Sequence, residues 1–341
     1  MRNSTIMKLT GLLCLILLST GGFGQINKPI ENFEAFWNLF NDSYASFEEK
    51  KINWSQMRNE FSSKVTVETT DLELFQIFTE MVKPLNDAHI TIRAKDLDTA
   101  FSASRKSRIR DELSSIPNKD LGTEFRNMTE TTLYRNGFDS IKQIGPKFRD
   151  KKLFTYTTNS KGGYLRFFRS FSTFLKMDGF SLNSQLNKIF NEFSDVESLI
   201  IDIRFNMGGT DEFSQKIAGR FVEEKMTGFL KQTRKDGEFG ELNEKYIKPT
   251  GKKPFKHPVV LITNDRTVSA ADVFAMMMAE LPNVTLLGEP SNGSYSDIYS
   301  KKLPNRWRIH LSNQRYFSLG MNNYEGLGTP VDVESNNMLK D

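Results

Sequence analysis

The chain has few of the side chains that most often bind metals or form cross-links, with one cysteine and three histidines in 341 residues. The single cysteine, Cys14, lies in the N-terminal 24 residues, so the remainder can form no disulfide and offers no thiol chemistry. No group of Cys, His, Asp and Glu residues has the spacing of a metal site, and we therefore expect no cofactor. Repeats and low-complexity tracts are also lacking, which excludes repeat architectures.

An excess of charge of one sign is missing as well. The 46 basic residues against 42 acidic ones give a formal net charge of +4. If the first 24 residues are removed, Arg2 and Lys8 leave without any acidic residue, and the net charge falls from +4 to +2. Such a small charge favours neither nucleic acid nor a polyanionic surface as a general partner.

The N-terminus has the pattern of a secretory signal. Arg2 and Lys8 flank its start, residues 9–18 are mostly apolar, and the small residues Gly22 and Gly24 suit cleavage after Gly24. We therefore predict a signal peptide over 1–24 and a secreted or periplasmic protein. The apolar run is shorter than the roughly 20 residues of a membrane span, so a retained anchor is disfavoured. A lipoprotein is disfavoured too, because Leu13 precedes Cys14 where a small residue is expected.

Periodicity divides the remaining chain into three parts. An aromatic stripe at helical spacing predicts a first helix, and Thr70 with Glu73 has the spacing of a capping box at the start of a second helix that ends near Pro84. We predict a small N-terminal helical domain over 25–95 and an irregular connecting region over 96–158. An α/β domain is predicted over 159–341, where strand-like and helix-like segments alternate. The first stripe consists of Phe33, Phe36, Trp37 and Phe40.

Ser269 is a candidate nucleophile because of where it falls in this α/β pattern. The apolar run 259–263 predicts a strand, and the segment 269–281 predicts a helix. A serine on the first helical turn lies beside unpaired N–H groups and the positive end of the helix dipole. The alternative is a simple N-cap serine.

A glycine turn supplies a candidate oxyanion hole. The strand-like run 198–203 leads into Arg204, Asn206, Gly208 and Gly209. Glycines let the backbone approach a substrate and direct an N–H group at it. Arg204 and Asn206 we interpret as side chains that hold the turn in shape.

Four motifs, in order, resemble those of the tricorn and C-terminal-processing serine proteases. The glycine motif D-x-R-x-N-x-G-G is matched from Asp202 to Gly209, and T-x-S-A-[AS]-[DE] around the nucleophile is matched by Thr267, Ser269 and Asp272. The turn G-E-[PK] is found at 288–290. The closing motif E-G-x-G-x-x-P-D is found at 325–332, shifted by one position. The resemblance implies a Clp-protease/crotonase-like fold of ββα units. No PDZ domain is evident between the helical and catalytic parts.

The resemblance also implies a general base. Part of the family has a Ser/Lys dyad, but Ser294 stands at the lysine position, so a dyad is disfavoured. The tricorn branch uses a histidine in a motif like L-x-D-x-H, which fits His89, whereas His257 and His310 lie in no such motif. A histidine can take the serine proton near neutral pH.

Supporting groups follow from the same resemblance. Glu325 matches a glutamate that supports the catalytic network, and we favour it over Asp87 as the partner of His89. Ala88 replaces the serine that tricorn-type enzymes have before the histidine, so the sequence does not determine whether the four-membered network is complete. The oxyanion donors would be the amides of Ala270 and of Gly208, in preference to Gly209.

Together these features predict a secreted serine endopeptidase that hydrolyses peptide or protein substrates through an acyl-enzyme on Ser269. No stable membrane span is expected after signal removal, and the sequence does not determine the oligomeric state. Two alternatives stay open. One is a non-catalytic ligand- or peptide-binding protein on the same fold, as in retinoid-binding relatives. The other is an esterase using the same triad.

Overall fold

A computed structural model describes residues 28–114, 121–148, 151–170 and 172–335. The predicted signal peptide over 1–24 lies outside these residues. The helices of the described part are α1 (Pro29–Ser43), α2 (Trp54–Ser62), α3 (Asp71–Val82), α4 (Arg108–Ser114), α5 (Leu121–Arg135), α6 (Ser172–Glu192), α7 (Asp211–Ala218) and α8 (Ala270–Ala279). The strands are β1 (Thr91–Ala94), β2 (Thr99–Ser102), β3 (Lys142–Phe148), β4 (Lys151–Thr158), β5 (Gly163–Phe167), β6 (Leu199–Asp202), β7 (Met226–Lys235), β8 (Glu238–Phe239), β9 (Asn243–Ile247), β10 (Val259–Thr263), β11 (Val284–Gly288), β12 (Ile298–Lys302), β13 (Arg308–Ser312), β14 (Gln314–Phe317) and β15 (Val333–Glu334).

A seven-stranded sheet forms the centre of the α/β part, in the order β15-β11-β10-β6-β5-β4-β3. Its neighbours from β5 to β15 are parallel, while β4 and β3 are added antiparallel at one edge. Helices α7 and α8 pack against each other and bury side chains in the same apolar core as β5, β6 and β10. Because parallel strands end at the same edge, the turns after β6 and β10 come together there. The α/β fold expected from the sequence is confirmed.

The N-terminal helices pack on a second sheet, which the sequence analysis did not foresee. This four-stranded antiparallel sheet has the order β12-β13-β1-β2, so two of its strands come from the C-terminal third of the chain. Trp307 shows how it is held: its ring lies edge-on to Phe75 and Phe78 of α3, with centroids 5.8 and 5.9 Å apart. The N-terminal core therefore contains residues from the segment predicted to belong to the α/β domain.

Helices α1 and α3 form where predicted. The Thr70 side chain accepts from the Glu73 amide at 3.3 Å, and Glu73 accepts from the Thr70 amide at 2.8 Å, which completes the capping box. After α3 a short 3₁₀ turn over Lys83–Leu85 leads to Asn86, whose φ of 47° is left-handed. This sharp change of direction separates the helix from the segment that carries His89.

The connecting region 96–158 is not irregular, and that expectation is wrong. It contains β2, α4, α5, β3 and β4, and the last two strands extend the seven-stranded sheet. The pattern was hidden because β3 is an edge strand with exposed charged side chains at Lys142 and Lys147, a common protection of sheet edges. Within the described residues no helix is long and apolar enough to cross a bilayer.

Candidate active site

Ser269 lies in a strained turn between β10 and α8. Its backbone adopts φ 64° and ψ −126°, a conformation that residues other than glycine rarely adopt. Strand-to-helix turns of this kind lift a nucleophile clear of its surroundings in other hydrolases. Ser269 is partly exposed, whereas Val268 and Ala270 on either side are buried. The serine is therefore presented at a surface by a turn that the surrounding structure must hold in place.

Asp272 supplies much of that restraint. Its buried carboxylate accepts the Ser269 amide at 2.6 Å, the Gly293 amide at 2.8 Å and the Ser294 amide at 3.3 Å. Burial raises its pKa to about 6, although hydrogen bonds from Ser291 and from these amides act in the opposite direction. Asp272 thus fastens the Ser269 turn to the loop after β11. Sequence reasoning used this residue only as part of a motif.

The glycine turn after β6 lies directly against Ser269. Gly208 has φ 72°, and a side-chain carbon added there would stand 2.6 Å from Ser269 Cβ and 2.5 Å from the Val268 carbonyl oxygen. Only glycine fits at such a distance. The Gly208 N–H donates to Asn206 Oδ1 at 2.9 Å, so the amide predicted to bind an oxyanion already has a partner. An asparagine side chain that bonds the backbone two residues onward is a common turn device.

Asn206 and Arg204 hold the turn, as expected. The Asn206 carbonyl accepts the Val268 amide at 2.9 Å, which joins the glycine turn to the Ser269 turn. Arg204 donates through Nε and Nη2 to the buried carboxylate of Asp202, at 3.0 and 2.7 Å. Arg204 lowers the pKa of Asp202, although burial alone would raise it.

His89 is buried at the start of β1. Its Nδ1 lies 3.5 Å from Ser312 Oγ of β13, and its backbone N–H donates to Asp87 Oδ1 at 2.8 Å. Burial lowers the pKa of His89, and the negative charges of Asp87 and Asp297 offset part of that effect. Burial therefore favours the neutral imidazole, which is the form that can accept a proton.

Hydrogen bonds connect the His89 segment to the Ser269 turn. The Ala88 amide donates to Ser294 Oγ at 3.4 Å, and the Ser294 amide donates to the Asp272 carboxylate that also accepts the Ser269 amide. Ser294, at the position of the lysine in dyad enzymes, thus links the two segments. In the part of the chain that the structure describes, no hydrogen bond joins the His89 ring directly to Ser269 or Glu325.

The carboxyl group of Glu325 is buried beside a lysine. Its Oε2 accepts the Tyr295 amide at 3.1 Å, and its Oε1 lies 3.6 Å from Lys50 Nζ. Burial, and next the negative charge of Asp87, raise the pKa of Glu325 to about 8, although Lys50 acts in the opposite direction. Glu325 and His89 are therefore both close enough to Asp87 to feel its charge.

Lys50 was missed by sequence reasoning. Only 7% of its side chain is exposed, and its ammonium group donates to the Asn86 carbonyl at 3.4 Å as well as facing Glu325. Gly326 lies so near that an added side-chain carbon would stand 2.8 Å from Lys50 Nζ. A lysine in a run of charged residues gives no sign of burial in the sequence. Among the described residues no group of acidic, His and Cys side chains could hold a metal ion.

Comparison with known families shows to which family the chain belongs. The sequence model of Peptidase family S41 matches residues 163–335, just over half of the chain, and that of the Tricorn protease C1 domain matches 27–83. The chain belongs to peptidase family S41. Membership confirms the resemblance seen in the motifs, and it identifies a serine-type peptidase hydrolase that acts on peptides or proteins.

Solved structures show the same S41 fold. A Parabacteroides merdae protein provisionally assigned as a peptidase is 24% identical with a TM-score of 0.72, over 91% of this chain and 90% of that one. Mature CPAF complexed with lactacystin is 12% identical with a TM-score of 0.62, over 90% and 93%. The photosystem II D1 C-terminal processing protease is 13% identical with a TM-score of 0.53, over 91% and 94%.

Proposed function

We propose that this S41 protein is a secreted serine endopeptidase that cleaves peptide bonds through an acyl-enzyme on Ser269. His89 acts as general base, Glu325 supports it, and the amides of Gly208 and Ala270 bind the oxyanion. The observation that carries the proposal is the Ser269 turn: a partly exposed serine with φ 64°, at the N-terminus of α8 and against the glycine turn.

The first chemical step is attack by Ser269 Oγ on the carbonyl carbon of the scissile bond. His89 accepts the hydroxyl proton, and the carbonyl oxygen becomes an oxyanion. When the tetrahedral intermediate collapses, the C–N bond breaks and His89 returns the proton to the leaving amine. A water molecule then attacks the acyl-enzyme by the same route, which releases the second product and restores Ser269.

Oxyanion binding requires backbone donors at the Ser269 turn. Ala270 is the first residue of α8, where amides lack partners within the helix. The Gly208 amide would exchange its bond with Asn206 Oδ1 for one with the oxyanion, a change of partner rather than of fold. Loss of one oxyanion donor commonly costs about 3 kcal/mol of transition-state stabilisation.

His89 and Glu325 play different parts in this scheme. His89 is held neutral by its burial, so it is ready to accept a proton. Glu325 is buried beside Lys50 and interacts with Asp87, and its ionised form would stabilise the imidazolium that arises during the reaction.

The test is Ser269→Ala. We expect hydrolysis of a peptide library to fall by several orders of magnitude, while the melting temperature and circular dichroism stay those of the wild type. A fluorophosphonate label should attach to the wild type and not to the variant. Ser63→Ala, at an exposed position at the end of α2, is the matched control and should keep both activity and labelling.

Near-wild-type hydrolysis by Ser269→Ala would refute the assignment of Ser269 as the nucleophile. If the wild type neither labels nor hydrolyses peptides, the protein is a binding protein on this fold. Hydrolysis of ester libraries alone would identify an esterase.

A further inference from the structure

The sheet β12-β13-β1-β2 has one apolar face and one polar face. Ile309 and Leu311 of β13 are fully buried against the N-terminal helices, whereas Arg308 and His310 alternate with them and face outward. Ser312, at the end of the same alternation, is the residue whose hydroxyl contacts His89 Nδ1 at 3.5 Å. The polar face therefore begins at the proposed base and continues along β13.

Cross-strand pairs extend this face into rows. His310 is paired with Thr91 of β1 and with Ser300 of β12, and Thr91 Oγ1 lies 3.1 Å from His310 Nδ1. The next row along the strands is entirely cationic, because Arg308 is paired with both of its neighbours in the sheet. That row consists of Arg93, Arg308 and Lys302.

These three cations line a concave pocket of about 560 Å³ with two more from the adjoining turns. Lys95 follows β1, and Arg306 lies in the β12–β13 connection with a strained φ of 68°. The acidic side chain of the lining is Asp96, whose Oδ1 already accepts the Trp307 indole N–H at 2.8 Å. We call this group of five cations the basic pocket: Arg93, Lys95, Lys302, Arg306 and Arg308.

The basic pocket is costly to the fold. Like charges directly opposite each other in an antiparallel pair destabilise the sheet, and Arg308 faces one cation on each side. In the described part of the chain, none of the five cations has an ion pair or a side-chain hydrogen bond. Arg93 and Arg308, after burial, also lower the pKa of His310, which shows that their positive charge reaches along the face. Repulsion among these cations would be relieved if an anionic ligand bound in the pocket.

The position of the basic pocket indicates which kind of ligand it binds. Arg308 and Ser312 are four residues apart on one strand, which at about 3.3 Å per residue places the pocket about 13 Å from the side chain in contact with His89. An extended peptide covers that distance in about four residues. We propose that the basic pocket is an exosite for an acidic segment of the protein substrate, lying about four residues from the scissile bond. The proposal rests on the peptidase function proposed above.

The concave shape of the basic pocket, and its continuity with the polar face of the sheet, favour a peptide over a flat anionic surface as the ligand. Five cations around a pocket of about 560 Å³ can each approach a separate carboxylate, and the row of Thr91, His310 and Ser300 lies on the same face between the pocket and Ser312. Charge complementarity of this kind selects partners and speeds association. The small net charge of the whole chain does not contradict this, because selectivity here depends on a local cluster.

The test uses Ser269→Ala, so that binding is measured without cleavage. Fluorescence anisotropy compares a labelled peptide of eight glutamates with one of eight glutamines. We expect the glutamate peptide to bind in 0.1 M salt and to dissociate in 1 M salt, where the Debye length falls to about 3 Å. The double change Arg93→Gln with Arg308→Gln should weaken binding by about 3- to 30-fold, since it removes two exposed ion pairs. The control, Lys252→Gln with Lys253→Gln, removes two exposed charges elsewhere and should not weaken it.

A second readout uses the otherwise wild-type enzyme. On a cleavable peptide extended with either glutamates or glutamines, the ratio of the two kcat/KM values should exceed one and should fall towards one in the Arg93/Arg308 double variant. Equal binding of the two octapeptides to Ser269→Ala would overturn the exosite even if the enzyme is a peptidase. Tighter binding of an eight-nucleotide single-stranded DNA than of the glutamate peptide would overturn the acidic-peptide assignment. Absence of any hydrolysis by the wild type would instead overturn the proposed function.

Discussion

Glu325→Gln is the substitution whose effect the structure specifies most fully. The Glu325 carboxyl group is buried, accepts the Tyr295 amide through Oε2 and faces Lys50 at 3.6 Å through Oε1. Glutamine has the same shape, and its amide oxygen can still accept from Tyr295. The substitution therefore removes a titrating charge and retains the hydrogen bond.

The size of the effect follows from the raised pKa of Glu325. A pKa of about 8 in the folded protein, against 4.5 for an unperturbed glutamate, means that folding favours the protonated carboxyl. The stability that this group contributes is complete below pH 4.5 and is lost as the pH rises through about 8. At about 1.4 kcal/mol for each pH unit between the two values, the loss reaches about 5 kcal/mol. Glutamine does not titrate, so the variant escapes this loss.

The assay is urea unfolding of the wild type and of Glu325→Gln at pH 5, 7 and 9. We expect the free energy of unfolding of the variant to rise relative to the wild type across this series, with the largest gain at pH 9. Glu238→Gln, at an exposed position, is the control and should show no such trend. Peptidase activity is measured on the same samples and should be lost in Glu325→Gln, which separates its catalytic part from its effect on stability.

A pH-independent difference between wild type and Glu325→Gln would refute the reasoning, because it would mean that the carboxyl titrates at the same pH in the folded and unfolded states. A variant less stable than the wild type at pH 9 would show that the ionised pair with Lys50 outweighs the burial of the charge.

Two further predictions concern the reaction itself. Because burial lowers the pKa of His89, kcat/KM should fall as the pH drops through a value below 6.5, in addition to any fall near pH 8 that accompanies protonation of Glu325. Absence of a fall below pH 6.5 would contradict a histidine base, and retained activity in His89→Ala with loss in a Lys301→Ala variant of β12 would restore the dyad. Gly208→Ala should reduce kcat/KM by at least about a hundredfold, since its added carbon would stand 2.6 Å from Ser269 Cβ, whereas Gly237→Ala, with φ 84° and no atom within 4 Å of the added carbon, should leave kcat/KM unchanged. Equal losses in the two glycine variants, measured on a cleavable peptide, would mean that backbone strain and not the contact with Ser269 matters.

Local sequence signals predicted local structure well. The capping box at Thr70 and Glu73 and the helix after Ser269 are both found in the structure. Each of these signals arises within about ten residues of chain, from hydrogen bonds or from the face on which apolar side chains fall.

Partners distant in the chain could not be predicted in the same way. The alternation in β13 shows which side chains are buried but not that Arg308 is paired with Arg93, because pairing depends on the path of the whole chain. Burial of Lys50 was hidden for a similar reason, since its acidic partner Glu325 lies 275 positions away. The roles of His89 and Glu325 came from a resemblance to a family, and they stay predictions until the variants are measured.

The pairing of β1 with β13 also determines when, during synthesis of the chain, the proposed base can reach its final position. Thr91 meets Ser102 of β2 on one side and His310 of β13 on the other, so the segment that carries His89 has only one of its two neighbouring strands until more than two hundred further residues have been made. Contacts between such distant positions form late, because a long loop must close first. The proposed base therefore reaches its final place only after the residues of β13 have been made. A chain still being synthesised would contain Ser269 before that point, which would delay proteolysis until β13 has been added.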